Sequence, residues 1–319
     1  MKVSFCVTYY NQIEFVWKSL ESIFALELTC PYEILIGDDG SSDGTLEKIK
    51  SYQEKYPEII KYYVMPRQVD MVYDPIRRAS DNRLNLLKFA SGDYFLTLDG
   101  DDFYCDKHFV QDAINILEKE PSLIGCAFNF QFLYPDKIIT PDQPLRNGII
   151  DTDFYIKNVY IHSGCIVFRN IIDVSRNIFL KNTENFDDNL ITIYMLQFGK
   201  LYYIDRPVYN YRQTQNSIWN NMTNIEKELV NAMSYEIMSR VAPEFDRCIF
   251  HRTYYPMKYI YKNKNILKNQ LEPLKYQKYL AQSKKLKDSF IYKCLNWNNL
   301  GFVEKVKIFI SWQLKKRKR

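Results

Sequence analysis

The stretch YFLTLDGDDFYCD, residues 94–106, decides how the rest of the chain is read. An apolar run ends in Asp99, Asp101 and Asp102, with only Gly100 between them. Like charges this close make one another harder to ionise, so a positive group belongs beside them. In an extended segment, residues two apart point the same way, roughly 6–7 Å from each other. Asp99 and Asp101 are therefore expected to share one cation, with Asp102 pointing elsewhere. A few hard oxygen ligands suit Mg²⁺ or Mn²⁺ that also binds substrate phosphates. The competing reading is a solvated Asp-rich turn, and its place directly after an apolar strand counts against it.

Working outward, short apolar or β-branched runs at 3–7, 32–37, 59–65 and 94–99 predict buried strands. Helical patterns fall between and after them, at about 12–27, 44–56, 82–90 and 106–119. Asp43 is placed to N-cap the second and Pro57 to stop it. In the fourth, Phe109, Val110, Ala113, Ile114 and Leu117 make one apolar stripe. This alternation predicts an α/β fold, an open and mostly parallel sheet with helices on both faces. Such sheets bind ligands beyond the carboxyl ends of their strands. Three of those ends are polar here: Thr8-Tyr9-Tyr10-Asn11, the run from Asp38 to Gly44, and Asp99-Gly100-Asp101-Asp102. They predict a site on one rim.

Residues 122–215 read as strands and loops with one clear helix at about 188–198, and from about 222 the pattern becomes helical and rich in Lys, Asn and Tyr. The 319 residues, 46% hydrophobic and 25% charged, are those of a globular protein. Net charge is +5, but it is divided: 1–220 hold 22 Lys/Arg against 30 Asp/Glu, and 221–319 hold 21 against 8. Opposite charge in two parts of one chain suggests two jobs. Seven cysteines without metal spacing read as reduced thiols. The start, MKVSFCVTYYN, turns polar too early for a signal peptide, and no run of about 18 apolar residues exists. The expectation is a cytoplasmic protein.

Several residues carry candidate chemistry. Asp39 is expected to accept hydrogen bonds from a base or ribose, as an acidic residue does in dinucleotide folds, while Asp43 builds the turn. Tyr10 has a face that packs against a base. Arg77, Arg78 and Arg83 precede the Asp-rich strand, and one of them contacting a diphosphate fits; a solvated face is the reading for the others. Glu184, Asp187 and Asp188 stand just ahead of a helix, where acidic residues are usually caps. A displacement on the acceptor side needs a general base, which gives one of them a second reading. His162, in YIHSGC, reads first as a core or turn histidine and second as an acceptor-pocket residue. GxxxxGK[ST] and GxGxxG are both absent.

Four segments then add up to a pattern: VSFCVTYYNQIEFVWKSLESI (3–23), YEILIGDDGSSDGTLEKI (32–49), NRLNLLKFASGDYFLTLDGDDFY (82–104) and ENFDDNLITIYMLQFGKLYYIDRPVYNYRQTQNSI (184–218). In this order they resemble the family 2 glycosyltransferases of bacteria, over about residues 1–218. The resemblance implies a GT-A fold, Rossmann-like, over 1–220, with a nucleotide-sugar half at 1–105 and an acceptor half at 106–220. It implies inverting transfer of a sugar from a nucleotide diphosphate, UDP first among them, to a hydroxyl of a glycan or lipid-linked acceptor in surface polysaccharide synthesis. It implies nucleotide contacts by Thr8, Tyr10, Asn11, Asp39, Arg78, Asn82 and Asp99. Asp99, Asp101 and Asp102 match the metal-binding DxD(D) element. Asp188 matches the base, with Asp187 as the fallback. Many relatives read YRxH near the end of the domain; here YRQT puts Thr214 at that place, which implies that Asp101 holds the cation with phosphate oxygens and water.

Two other readings stand beside this one. A sugar-phosphate nucleotidyltransferase shares the architecture but carries a Gly-rich loop ending in Arg, which VTYYNQ is not. A non-catalytic nucleotide- or glycan-binding member of the fold is the other, and Asp39, Asp101 and Asp188 argue against it. In the basic region 221–319, a helix at 302–314 puts Phe302, Val303, Val306, Phe309, Ile310 and Leu314 on one face, followed by KKRKR. It reads either as a helix on an anionic membrane surface or as one packed on the protein with a solvated tail. No nucleic-acid motif accompanies the charge. The long Tyr-rich helices leave room for an oligomer.

Overall fold

The structure is a computed structural model; it describes residues 1–66, 74–158, 160–173, 186–214, 217, 219–241, 246–285 and 290–317. It divides into two compact units, Met1–Asn220 and Asn221–Arg319.

The first unit is built on one sheet. Strands β1 (Val3–Tyr9), β2 (Tyr32–Asp38), β3 (Ile60–Val64) and β4 (Tyr94–Asp99) are almost wholly apolar, and the strands at the centre are buried throughout. Buried strands of this kind need cover, and helices α1 (Val16–Phe24), α2 (Thr45–Lys55) and α3 (Pro75–Leu87) supply crossover connections between them. The chain continues through β5 (Phe103–Tyr104), α4 (Phe109–Lys119), β6 (Leu123–Leu133), β7 (Ile138–Ile139), β8 (Asn147–Ile150), α5 (Thr152–Asn158), β9 (Ile166–Arg169), α6 (Asp188–Leu196) and β10 (Lys200–Arg212). The sheet order is β3-β2-β1-β4-β9-β6-β10-β5, with β7 on β6 and β8 on β10.

The first four strands are parallel, and β9, antiparallel to both β4 and β6, restores the direction for β6 and β10. The mostly parallel α/β sheet expected from the sequence is therefore present. From β1 the chain winds outward through β2 and β3, then returns to place β4 on the other side of β1. That reversal is the topological switch point, where such sheets open a crevice. Thr8 and Asp99 are register partners across it.

Three element boundaries differ from expectation. Helix α3 starts at Pro75 rather than 82, because Asp74 caps it by accepting the Arg77 N–H at 3.2 Å and Pro75 presets the first turn. Helix α1 starts at Val16, since Gln12–Phe15 form a turn held by the Thr45 hydroxyl on the Gln12 N–H. The cap position of α2 is Gly44, at φ 97°; Asp43 sits one residue earlier and accepts from the Thr45 and Ile13 N–H groups.

The second unit comprises α7 (Asn224–Val241), α8 (Asp246–Lys262), α9 (Lys264–Gln270), α10 (Pro273–Lys285), α11 (Phe290–Leu295) and α12 (Phe302–Arg317). A capping box opens α7: Thr223 and Glu226 satisfy each other's backbone N–H, and Lys275 pairs with Glu226 at 2.9 Å. Leu229, Met238, Ile260, Leu267, Ile291 and Cys294 are buried within the unit. Helix α12 turns most of its apolar residues outward. Among the described residues, no helix is long and apolar enough to cross a membrane.

Candidate functional site

The site forms where the switch point meets β10. Strand β5 pairs with β10, Tyr104 opposite Tyr209 and Phe103 opposite Asn210, so the Asp-rich turn is pinned beside the end of β10. The Asp102 N–H donates to the Asp99 carbonyl at 2.9 Å. This is a tight turn, and the alternation of an extended segment does not apply to it. Gly100 permits the turn because a Cβ there would lie 2.1 Å from the Tyr9 ring. Asp102 is consequently drawn inward: Tyr209 donates to its Oδ2 and the Arg212 N–H to its Oδ1, both at 2.7 Å. The expected pairing of Asp99 with Asp101 is thus replaced by one of Asp99 with Asp102, whose oxygens lie within 4.8 Å of each other and of a His162 nitrogen.

The electrostatics of this turn bear out the cost foreseen for it. Burial, and then the neighbouring Asp99 charge, push the Asp101 carboxyl up to about 6. Asp102, buried and facing Asp101 and Asp99, is held well above the usual carboxylate range. Arg212 offsets part of this; its Nε donates to the Asp101 carbonyl at 2.8 Å, and its guanidinium stacks over Phe15 and Phe103. A crowded set of carboxylate oxygens, two of them resisting ionisation, fits a hard divalent cation. Among the described residues, oxygens of Asp99 and Asp102 and a His162 nitrogen are grouped closely enough to share one.

At the switch point, the Thr8 hydroxyl donates to Asp99 Oδ1 at 3.2 Å. Tyr10 is half-buried at the end of β1. Asn11 staples the loops after β1 and β2: its N–H donates to Ser41 Oγ and its side-chain oxygen accepts the Ser42 N–H, both at 2.9 Å. It does so at φ 50°, a conformation that Asn tolerates. Asp39 is buried and ion-paired with Arg78, which also donates to the Pro66 carbonyl at 3.2 Å. Asn82, expected among the nucleotide contacts, lies in α3. It is buried, and its amide donates to the Gly37 carbonyl at 2.9 Å, tying α3 to β2.

Opposite the turn, the two carboxylates at the start of α6 divide their work. Asp187 is the N-cap and accepts the Leu190 N–H at 2.8 Å, so its fallback role as base gives way to a structural one. Asp188 faces the site. Its Oδ1 accepts from the Ser163 hydroxyl at 2.5 Å and its Oδ2 from the Tyr160 hydroxyl at 3.0 Å. Ser163 in turn bonds Thr97 at 2.9 Å, so β4 supports the base position. Burial alone would raise the Asp188 carboxyl, but the facing N–H of His162, the Arg83 guanidinium and these two hydroxyls hold it below its ordinary value and keep it anionic. Glu184 lies outside the described residues.

Two residues that the sequence reading undervalued join the halves. Arg83, one of three arginines without a distinguishing mark in the sequence, is buried; its Nη2 donates to Asp99 at 3.2 Å and its Nη1 to the Phe186 carbonyl at 2.8 Å. Burial opposes its charge, yet Asp99, Asp188 and Asp187 outweigh that and raise its pKa. His162 points Nε2 between Asp99 and Asp188, at 3.8 and 3.7 Å. The missed signal was the run YIHS itself, which presents Tyr160, His162 and Ser163 together to Asp188. Thr214, at the position of the family histidine, offers no imidazole; the one beside the Asp cluster comes from His162.

Comparison with known proteins accords with this geometry. A family model, Glycosyl transferase family 2, matches residues 4–174. The poly(ribitol-phosphate) beta-glucosyltransferase of Bacillus spizizenii is 30% identical over 106 residues, 32% of this chain and 15% of that protein. The chain spans less than half the length of the curated relatives it matches. Among solved structures, Staphylococcus aureus TarS 1-349 in complex with UDP superposes with a TM-score of 0.63 at 14% identity, covering 100% of this chain and 92% of that one. A Pyrobaculum calidifontis mannosyltransferase in complex with GDP-Man and Mn²⁺ gives 0.50 at 14% identity, covering 92% and 84%. These likenesses show the GT-A fold.

Proposed function

The chain belongs to glycosyltransferase family 2, and from that premise we propose that it is a metal-dependent, inverting transferase using a nucleoside-diphosphate sugar. The observation that carries this is the placing of anionic Asp188 across from the Asp99–Asp102 turn, with His162 Nε2 within 4 Å of both sides. The nucleotide is seated by Thr8, Tyr10 and Asp39 at the switch point, with Arg78 beside Asp39. Asp99, Asp101 and Asp102 hold Mg²⁺ or Mn²⁺, which when bound supplies positive charge to the departing diphosphate. Asp188 removes the proton of the acceptor hydroxyl as that oxygen attacks the anomeric carbon from the face opposite the diphosphate, and the configuration inverts. Ser163 and Tyr160 fix the direction of that carboxylate before the acceptor arrives.

UDP is the proposed nucleotide, because a UDP complex shares the fold over the whole chain. The acceptor is proposed to be a hydroxyl of a glycan or lipid-linked surface polymer, in keeping with the poly(ribitol-phosphate) enzyme among its relatives. The reaction is proposed to take place in the cytoplasm, with α12 lying on the anionic inner face of the cell membrane. That placement is favoured by Phe302, Val303, Ile310 and Leu314, which are 82%, 64%, 49% and 53% exposed.

The deciding experiment is donor hydrolysis by the purified protein over a panel of UDP-, GDP-, dTDP- and CDP-sugars, with Mn²⁺ or with EDTA, reading released nucleotide. EDTA-sensitive release from one donor is expected. Where release is silent, calorimetric titration with each free nucleotide and Mn²⁺ decides: binding points to a required acceptor, and no binding by any of them overturns the proposal.

A further inference from the structure

His162 looks at first like a third ligand for the cation. Its ring is buried, stacked on Tyr209 with centroids 4.7 Å apart and tilted against Tyr211 at 5.1 Å. A ring nitrogen lies with Asp99 and Asp102 oxygens inside a 4.8 Å group. The other ring nitrogen argues against ligation. Nδ1 faces the backbone N–H of Gly164 and accepts from it at 3.2 Å. A peptide N–H only donates, so Nδ1 carries the lone pair and Nε2 carries the proton. A ligating imidazole has the reverse arrangement: the nitrogen away from the metal donates to a carbonyl, carboxylate or water.

The backbone that imposes this tautomer is well held. The Cys165 N–H donates to the His162 carbonyl at 2.9 Å, closing the turn Ser163–Cys165. Gly164 is pressed against Tyr209 so closely that a Cβ would lie 2.4 Å from the ring. The Nε2 proton has two carboxylates before it, Asp99 from the nucleotide side and Asp188 from the acceptor side. At 3.8 and 3.7 Å it faces both and is hydrogen-bonded to neither, so a shift of about 1 Å toward either makes the bond.

We propose that His162 is a positioning residue: its Nε2–H, lying between Asp99 and Asp188, donates to the Asp188 carboxylate after a shift of about 1 Å and holds that base in register with the seated donor, without ligating the cation. The proposal rests on the reading of Asp188 as the base. It departs from what residue type alone would assign, and it leaves the cation to carboxylate oxygens, substrate phosphates and water.

The first test needs no variant. The chain has three histidines, so ring-nitrogen correlation NMR of the wild-type protein resolves their tautomers, with Mg²⁺ and UDP added stepwise. His162 is expected in the Nε2–H form before and after addition. A change to Nδ1–H with a bare Nε2 on addition of Mg²⁺ and UDP overturns the proposal. Failure of UDP to bind strikes at the nucleotide reading alone, since the tautomer of the free protein still reports on this one.

The second test uses His162→Phe, which keeps a ring against Tyr209. Its kcat is expected to fall about 10- to 100-fold, the loss of a hydrogen bond to a charged group, while KM for the donor and the affinity for Mn²⁺ in the presence of UDP stay within about 3-fold of wild type. His162→Gln, which offers an amide N–H, is expected to recover part of kcat. A loss of Mn²⁺ affinity of about 10-fold or more in His162→Phe, read by electron paramagnetic resonance of free Mn²⁺, assigns the ring to the metal and overturns the proposal. An unchanged kcat overturns it as well. Should the Phe variant not fold, the wild-type tautomer decides.

Discussion

One guanidinium spans both sides of the site: Arg83 donates to Asp99 at 3.2 Å and, through its other arm, to the Phe186 carbonyl two residues before Asp188. The fork ties the Asp-rich turn to the segment that carries Asp188. Breaking a fully buried pair costs about 3–5 kcal/mol; the Asp99 side chain is 34% exposed, and solvent lowers the cost here to roughly 1–3 kcal/mol. Arg83→Ala is expected to lose stability on that scale in urea unfolding. Arg83→Lys keeps the charge but not the fork, so it should retain more of the stability than of the activity.

The adjacent carboxylates Asp187 and Asp188 should separate cleanly. Asp188→Asn is expected to lower kcat by at least about 100-fold with donor binding retained, since general-base help is worth that much. Asp187→Ala removes an N-cap and should cost about 1 kcal/mol of stability, with kcat changed far less. Steady-state kinetics and thermal melts on the same two variants check both halves of the claim.

The turn itself makes an opposite pair of outcomes. Without a cation, Asp102 is a buried carboxyl crowded by Asp101 and Asp99. Asp102→Asn keeps the shape and removes the ionisable group: its carbonyl oxygen accepts the Arg212 N–H and its amide NH2 donates to the Tyr209 oxygen. In EDTA at pH 7 the variant is expected to melt no lower than wild type. The rise in melting temperature that Mn²⁺ gives wild type should shrink in the variant, and turnover should fall by at least about 100-fold, roughly 3 kcal/mol.

Much of this was legible in the sequence because strands and strand ends are local. The apolar runs at 3–7, 32–37 and 94–99 announced the parallel core, and the polar residues after them marked the rim. Helix α3 begins earlier than the expected 82–90 because Asp74 caps it and Pro75 presets its first turn. The direction of Asp102 could not be read, since it depends on β5 pairing with β10 more than a hundred residues away. Arg83 and His162 were undervalued for the same reason. Each is defined by partners from distant segments: the run YIHS marks His162 only once Asp188 is placed opposite it, and nothing beside Arg83 distinguishes an arginine that bridges a site from one on a solvated face.

Far from the site, Glu33 gives a pH signature. It is buried; Lys2 donates to it at 2.8 Å, Ser4 at 2.7 Å and Ser91 at 2.8 Å through both its N–H and its hydroxyl. Burial would raise its pKa, but these donors outweigh that and bring the carboxyl down to about 2. A carboxyl depressed on folding stabilises fully above its unfolded pKa, near about 4.3, and the gain disappears as pH falls toward the folded value. Glu33→Gln should therefore cost about 2–3 kcal/mol at pH 7 and about half of that at pH 3. Chemical denaturation of both proteins at the two pH values is the check; an equal loss at both would assign the effect to packing.

Helix α12 makes the last prediction. Phe302, Val303, Val306, Phe309, Ile310 and Leu314 occupy an arc of roughly 140° at about 100° per residue, all at least 38% exposed. Ile308, on the opposite side of the helix, is its buried contact. A helix that buries one side and turns its wider apolar arc to water is unlike a packed core helix, and Lys305 and Lys307 flank that arc. The region 221–319 carries 13 more basic than acidic residues, five of them in the run KKRKR. Each basic residue near an anionic surface contributes about 1 kcal/mol, screened by salt. The protein is therefore expected to sediment with vesicles containing phosphatidylglycerol, to do so less at high salt, and not to sediment with neutral vesicles. Replacing Phe302, Val303, Ile310 and Leu314 by Ser should abolish this while donor hydrolysis continues. Sedimentation unchanged by those substitutions would remove the helix from the membrane, and self-association lost with them would assign the arc to a second copy of the chain.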